Sequence, residues 1–240
     1  MKPGALTIAD QSLVVFVDDT GHEALAPGHP VYGLDGCAAM AGDLDRLIRH
    51  PWHEVRRKVS GSADTPLHAA AFARTATPEQ IETIAAFFQT QPFTRIGATV
   101  SVATRMIGDL GPVNAIAGVL KNRIVDIARW TRCSEVNVIF EASERADRHI
   151  EAAFQDFRLE EDGAAVPVEC YFMPKAAHDP ALEVADFIIH AVGRQTRRRI
   201  EGRDGFAPDF AAVFHGQDPK RVSFIDVARV EKGQSKDGAR

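Results

Sequence analysis

The chain has few of the features that mark a dedicated metal scaffold, a secreted protein or a membrane protein. Its 240 residues include three cysteines, Cys37, Cys133 and Cys170. Their number is odd and their spacing matches no metal-binding pattern, so they read as reduced thiols of a cytoplasmic protein. No run of about 18 apolar residues is present to span a membrane, and the N-terminus has no charged-then-apolar signal segment. Neither a GxxxxGK[ST] nor a GxGxxG phosphate loop occurs. His22, His29, His50, His53 and His68 lack HExxH spacing, and no serine lies in a nucleophile elbow. A net charge of -5 exerts no general pull toward nucleic acid or membrane. The composition is otherwise that of an ordinary globular chain, 45% hydrophobic and 25% charged, so a sizeable core is expected.

What is present is most concentrated at 182–193, LEVADFIIHAVG. Every residue there is apolar or Gly except Glu183, Asp186 and His190. At about 100° per residue these three fall within roughly 60° of one another. The segment therefore predicts a helix buried nearly all round with one narrow ionisable stripe. Buried charges tend to be paired or to bind metal, so the stripe calls for a partner elsewhere in the chain.

Strands are expected at 13–17 (LVVFV), 31–40, 67–72, 94–103, 136–142 (VNVIFEA), 166–173 and 221–227. Helices are expected at 41–59 with a break or kink at Pro51, at 77–90, 112–132 and 144–158, and within 180–199. Thr77-Pro78-Glu79-Gln80 has the pattern of a capping box with Pro at N1. Ser143 is placed to cap the helix at 144–158, and Asp179 the late helix, with Pro180 at N1. A turn is expected at 160–164. This order predicts an α/β fold: a mixed sheet opening with an antiparallel hairpin and covered by helices on both faces. Residues 1–230 read as one domain and 231–240 as a disordered tail.

Three groups of acids stand where ligand sites form in such sheets. Asp18 and Asp19 follow the first strand, Glu141 ends the VNVIFEA strand, and Glu183 and Asp186 lie on the buried helix. Carboxyl ends of strands open onto the ligand crevice of α/β sheets. Mg²⁺ and Mn²⁺ take oxygen ligands, often a few carboxylates with water and phosphate. Most of these acids also have a plainer role; Asp186, with apolar neighbours on both sides, does not. Asp18-Asp19-Thr20-Gly21 is good turn chemistry, Glu141 and Glu183 suit helix starts, and His190 suits a satisfied helix histidine. Arg194, Arg197, Arg198, Arg199 and Arg203 follow the stripe. They read either as a solvated helix end or, through Arg194, Arg197 and Arg198, as contacts to a phosphate backbone.

On these motifs, VVFVDDTG, VYGLDGCAAM, VIFEAS and LEVADFIIHAV, the chain resembles the domain-of-unknown-function 3800 family over most of residues 13–200. The resemblance implies a ribonuclease H-like fold, with one or two Mg²⁺ or Mn²⁺ ions held on carboxylates and phosphodiester cleavage as the chemistry. Asp18 to Gly21 match the family's DES-G-like segment. Leu182, Glu183, Ala185 and Asp186 match its LQ-x-AD-like helix, and Glu141 matches its middle acid. It thus implies Asp18, Glu141 and Asp186 as the main ligands and catalytic carboxylates, with Asp19 and Glu183 as further ligands. Two departures stand out. Pro66 replaces a family Glu, and Glu183 replaces a Gln. One reading has Glu183 or Asp64 supply the missing carboxylate; another has a degraded site on a fold kept for binding. In a third, Glu183 and Asp186 pair with buried arginines and serve structure alone.

Overall fold

The structure is a computed structural model of the chain and describes residues 8–26, 28–102, 111–161, 163–214 and 218–227. The strands among the described residues are β1 (Ser12–Gly21), β2 (Val31–Met40), β3 (Thr94–Ser101), β4 (Glu135–Glu141), β5 (Leu159–Glu161), β6 (Ala164–Val166), β7 (Val168–Met173) and β8 (Val222–Asp226). The α-helices among them are α1 (His50–Ser60), α2 (Ala69–Thr75), α3 (Pro78–Thr90), α4 (Pro112–Thr131), α5 (Asp147–Phe154), α6 (Pro180–Ile200) and α7 (Pro208–Phe214). The expected tail at 231–240 lies outside the described residues.

Six strands form one sheet in the order β7-β4-β1-β2-β3-β8, and β5 and β6 form a separate two-stranded ribbon. β1 and β2 are the expected antiparallel hairpin, and β3 continues it antiparallel. β4 then adds parallel to β1, and β7 parallel to β4. Parallel addition needs a crossover, which α4 supplies between β3 and β4.

Alternation along β1 separates two cores. Val14 and Phe16 face α6 in one cluster with Trp52, Phe88, Val184 and Ile188. Val15 and Val17 face α4 in the other, with Ile116, Leu120 and Ile124. Helices thus cover both faces, as the sequence predicts. α6 lies close on β3 because Gly97 has no side chain: a Cβ there would stand 2.8 Å from Val192 Cγ2.

Several elements depart from expectation. Residues 67–72, expected as a strand, enter helix α2 at Ala69. Pro51 does not break the helical path; it sits in the first turn of α1. A π-helical segment, Asp45–Arg49, precedes it, and the His50 N–H bonds to Asp45 O. The chain changes its hydrogen-bond step just where proline removes a donor. α5 starts at Asp147 rather than 144. Ser143 does not cap it with its side chain; instead its N–H donates to Asp147 Oδ1 at 2.7 Å. The expected turn at 160–164 is the tip of the β5–β6 ribbon, with Gly163 at φ 80°.

Candidate active site

β1 and β4 run parallel in register Val17↔Phe140, so Asp18 and Glu141 lie side by side, Glu141 at the end of β4 and Asp18 within β1, which stays paired with β2 to Gly21 where the sequence suggests a turn. Asp18 follows Val14 and Phe16 on the α6 side of the strand. Glu141 follows Ile139 on that same side. Asp186 lies in the second turn of α6, whose start is fixed by Asp179, its side chain accepting the Ala181 N–H at 2.8 Å. The strand period and the helix start together bring three acids that are far apart in sequence to one end of one sheet face.

Asp18 is 9% exposed, and its Oδ1 accepts the Asp19 N–H at 2.8 Å. Burial pushes its carboxyl well above the usual carboxylate range, and the negative charges of Glu141 and Asp186 push it further. The other two acids have partners. Glu141 Oε2 lies 3.2 Å from Lys175 Nζ. Asp186 Oδ2 accepts the Ala69 N–H at 2.9 Å and lies 2.9 Å from His68 Nδ1. A small cleft of about 90 Å³ opens here, with Pro66, His68, Glu141, Lys175 and Asp186 in its walls.

Glu183 behaves differently from the expected metal ligand. Its Oε1 accepts from Arg56 Nη2 at 2.6 Å. Its Oε2 accepts from Trp52 Nε1 at 2.8 Å, Arg56 Nε at 3.0 Å and the Leu67 N–H at 3.1 Å. Both oxygens are committed, so of the three readings of this residue the structure supports pairing with a buried arginine. Among the described residues Asp186 has no arginine partner, so that reading is not supported for it. Asp19 is also displaced from the expected cluster. Successive strand residues point to opposite faces, and Asp19 Oδ2 instead meets Arg145 Nη2 at 2.5 Å. Neither Asp64 nor Asp18 is among the residues that line the cleft; Asp18 lies beside it, close enough to feel the charges of Glu141 and Asp186.

The arginines begin about 12 Å along α6 from Asp186, at 1.5 Å per residue. Arg194 Nη1 lies 3.2 Å from Asp209, and Arg198 Nη2 donates to Asp204 O at 2.7 Å. Arg197 is exposed. His190 lies 3.9 Å from Asp209, and burial holds its pKa below the usual histidine value.

Sequence reasoning missed Asp35, the cross-strand partner of Asp18. It is fully buried, and its Oδ1 accepts the Ala98 N–H. Its Oδ2 has no hydrogen-bond partner among the described residues. Burial, and then the charge of Asp18, raise its carboxyl well above the usual range. A lone acid between Gly33 and Gly36 in an otherwise apolar strand is the signal that marks it.

Among the described residues, no three Asp, Glu, His or Cys side chains are gathered into a ready-made cation cage. The donor chemistry nonetheless fits a hard divalent ion: Asp18 is an oxygen donor pressed by two like charges, and a cation there would relieve that repulsion. Glu141 and Asp186 would have to exchange Lys175 and His68 for the ion.

No protein-family model matches the chain, and no curated protein matches it. Among solved structures, it is similar to the archaeal RNase HII in the PCNA:RNase HII complex from Archaeoglobus fulgidus, at 18% identity and a TM-score of 0.37. The match covers 95% of this chain and 91% of that one. A likeness of this size carries no argument about activity. The structure does bear out the α/β architecture expected from the sequence: a mixed sheet with an opening antiparallel hairpin and helices on both faces. Among the described residues, no helix is long and apolar enough to cross a membrane.

Proposed function

We propose that the chain is a metal-dependent phosphodiester hydrolase, a nuclease or phosphodiesterase of the kind implied by its resemblance to the domain-of-unknown-function 3800 family. The observation that carries this reading is the buried carboxyl of Asp18, pressed by Glu141 and Asp186 at the carboxyl end of the sheet. Asp18, Glu141 and Asp186 hold the cation, Mg²⁺ or Mn²⁺. Such an ion lowers the pKa of a bound water and stabilises the leaving oxygen. Asp19 and Glu183 are positioning residues. Asp19 holds Arg145, and Glu183 fixes the Leu67 backbone in the wall of the cleft. Lys175 and His68 lie where they can meet a phosphate once the acids take the ion. The substrate on this reading is nucleic acid or a nucleotide, with Arg194, Arg197 and Arg198 contacting phosphates beyond the cleft.

The test is thermal unfolding of the full chain during titration with Mn²⁺. A ligand that binds only the folded state raises apparent stability by RT ln(1 + [L]/Kd). The native chain gains stability, and Asp186→Asn loses the gain. No gain in the native chain overturns the metal site.

A second reading, a binding protein on a degraded site, is favoured by one observation: Glu141 and Asp186 already have partners within the fold, Lys175 for one and His68 with the Ala69 N–H for the other. That reading expects no response to Mn²⁺ and undiminished binding of single-stranded oligonucleotide in EDTA.

A further inference from the structure

The loop between α6 and α7 presents one large apolar side chain to solvent. Phe206 is 57% exposed, while Ala207 beside it is buried. The fold holds the ring there. Gly202 and Gly205, at φ 71° and 76°, turn the chain back along α6. The buried Gln195 then grips the backbone on either side of the ring. Its Nε2 donates to Gly205 O at 3.2 Å, and its Oε1 accepts the Ala207 N–H at 2.7 Å. Arg198 Nε and Nη2 both donate to Asp204 O, at 3.2 and 2.7 Å. Side chains of α6 thus fix the backbone at 204, 205 and 207, and a group held in advance costs less to order on binding.

Phe206 is the outer rung of a ladder of rings. It stacks on Phe210 with centroids 5.4 Å and planes 22° apart, and Phe210 stacks on Phe214 at 4.7 Å and 20°. Phe210 and Phe214 are buried, so the ladder is anchored in the core and open at its Phe206 end. A near-parallel stack with one open face is extended by a flat aromatic group. Charge narrows the occupant further. Residues 194–206 carry five arginines against two acids, Glu201 and Asp204. From other elements, Asp209 answers Arg194 and Asp226 answers Arg199. Arg203 meets Glu201 in an exposed ion pair, which water weakens. Arg198 meets a carbonyl and, among the described residues, no acid.

We propose that Phe206 is a stacking platform for an unpaired base of single-stranded nucleic acid, with Arg198 and Arg203 against the flanking phosphates. The ladder fits a planar ring, and the arginines fit the anionic backbone that carries it. Aromatic side chains beside cationic ones hold single strands in this way with little regard to sequence. A duplex keeps its bases stacked on one another and offers the ring no free face. Gln195 lies nine residues beyond Asp186 on α6, so the platform stands about 14 Å along the helix from the acidic cleft. That one strand reaches both places rests on the phosphodiesterase reading; the platform itself does not.

The experiment is fluorescence anisotropy of labelled oligothymidylate titrated with the full chain in EDTA, so that its outcome is independent of the Mn²⁺ titration. A duplex of the same length is the comparison. The single strand binds about tenfold or more tightly than the duplex. Phe206→Ala weakens single-strand binding about tenfold, the loss expected for one stacked base. Phe206→Trp keeps the affinity, and its fluorescence is quenched as the oligonucleotide binds. Arg203→Gln lowers the slope of log affinity against log salt by about 0.7, the share of one phosphate contact on a single strand. Single-strand binding that Phe206→Ala leaves unchanged overturns the proposal, as does equal binding of single strand and duplex. Absence of oligonucleotide binding by the native chain also overturns it and leaves the ring to a protein partner. Loss of the Mn²⁺ response alone, with these effects intact, overturns the cation site and not the platform.

Discussion

Arg56 grips Glu183 through two hydrogen bonds, Nη2 to Oε1 at 2.6 Å and Nε to Oε2 at 3.0 Å, with the two side chains only 3% and 10% exposed. The same guanidinium donates to His178 O at 2.8 Å and to Ala63 O at 3.2 Å. One buried pair thus ties α1, the 61–68 loop and the start of α6 together beneath the acidic cleft. Removing one partner leaves the other charge buried and uncompensated. Arg56→Met is expected to destabilise the fold by about 3–5 kcal/mol in urea unfolding. The double variant Arg56→Met/Glu183→Leu recovers most of that loss. Equal destabilisation by the single and double variants counts against the pair as the cause.

Asp18 makes stability depend on pH. The native carboxyl holds its proton to higher pH than the unfolded one, because burial and two like charges oppose ionisation. Native stability therefore falls as pH rises from the ordinary carboxylate range, near 4, through the raised native value. Asp18→Asn removes that cost and keeps an oxygen for the Asp19 N–H. Its expected melting temperature matches the native chain at about pH 3 and exceeds it at pH 7–8, by about 2–4 °C for each kcal/mol relieved. Identical pH profiles for the two proteins would refute this account.

Lys175 competes with any cation for Glu141. Its side chain is 55% exposed, so the ion pair itself contributes little to stability. Lys175→Met should leave the melting temperature in EDTA within about 1 °C of native and strengthen the response to Mn²⁺ severalfold. A weaker response would show that the lysine supports the site.

Thr77 closes a complete capping box at α3: its side chain accepts from the Gln80 N–H, and Gln80 Oε1 accepts from the Thr77 N–H. Thr77→Ala is expected to cost about 1 kcal/mol, read as a drop of about 2–4 °C in melting temperature. An unchanged melting temperature would mean that α3 is held by Phe87 and Phe88 alone.

The sequence by itself determined the elements whose signals are local. The alternation and β-branching of 13–17 and 136–142 specify buried strands. Thr77 to Gln80 specify a helix start, and LEVADFIIHAVG specifies a buried helix with an acidic stripe. Those patterns were enough to place Glu141 at a strand end and Asp186 on the buried helix, and to single out Asp18 beyond the LVVFV run, which in the structure continues as strand to Gly21. Only the tertiary structure decided what each acid does, because a carboxylate takes its role from the donors that reach it. Glu183 met Arg56, 127 residues away, and became a structural anchor. Asp186 met the Ala69 N–H, 117 residues away, and holds the start of α2. That contact also explains the misread strand at 67–72. A helix of seven residues is too short to be stable on its own, and the donor that begins it is satisfied from across the fold. Asp19 left the acidic cluster for the opposite reason, a strictly local one: in a strand, the residue after Asp18 faces the other side of the sheet.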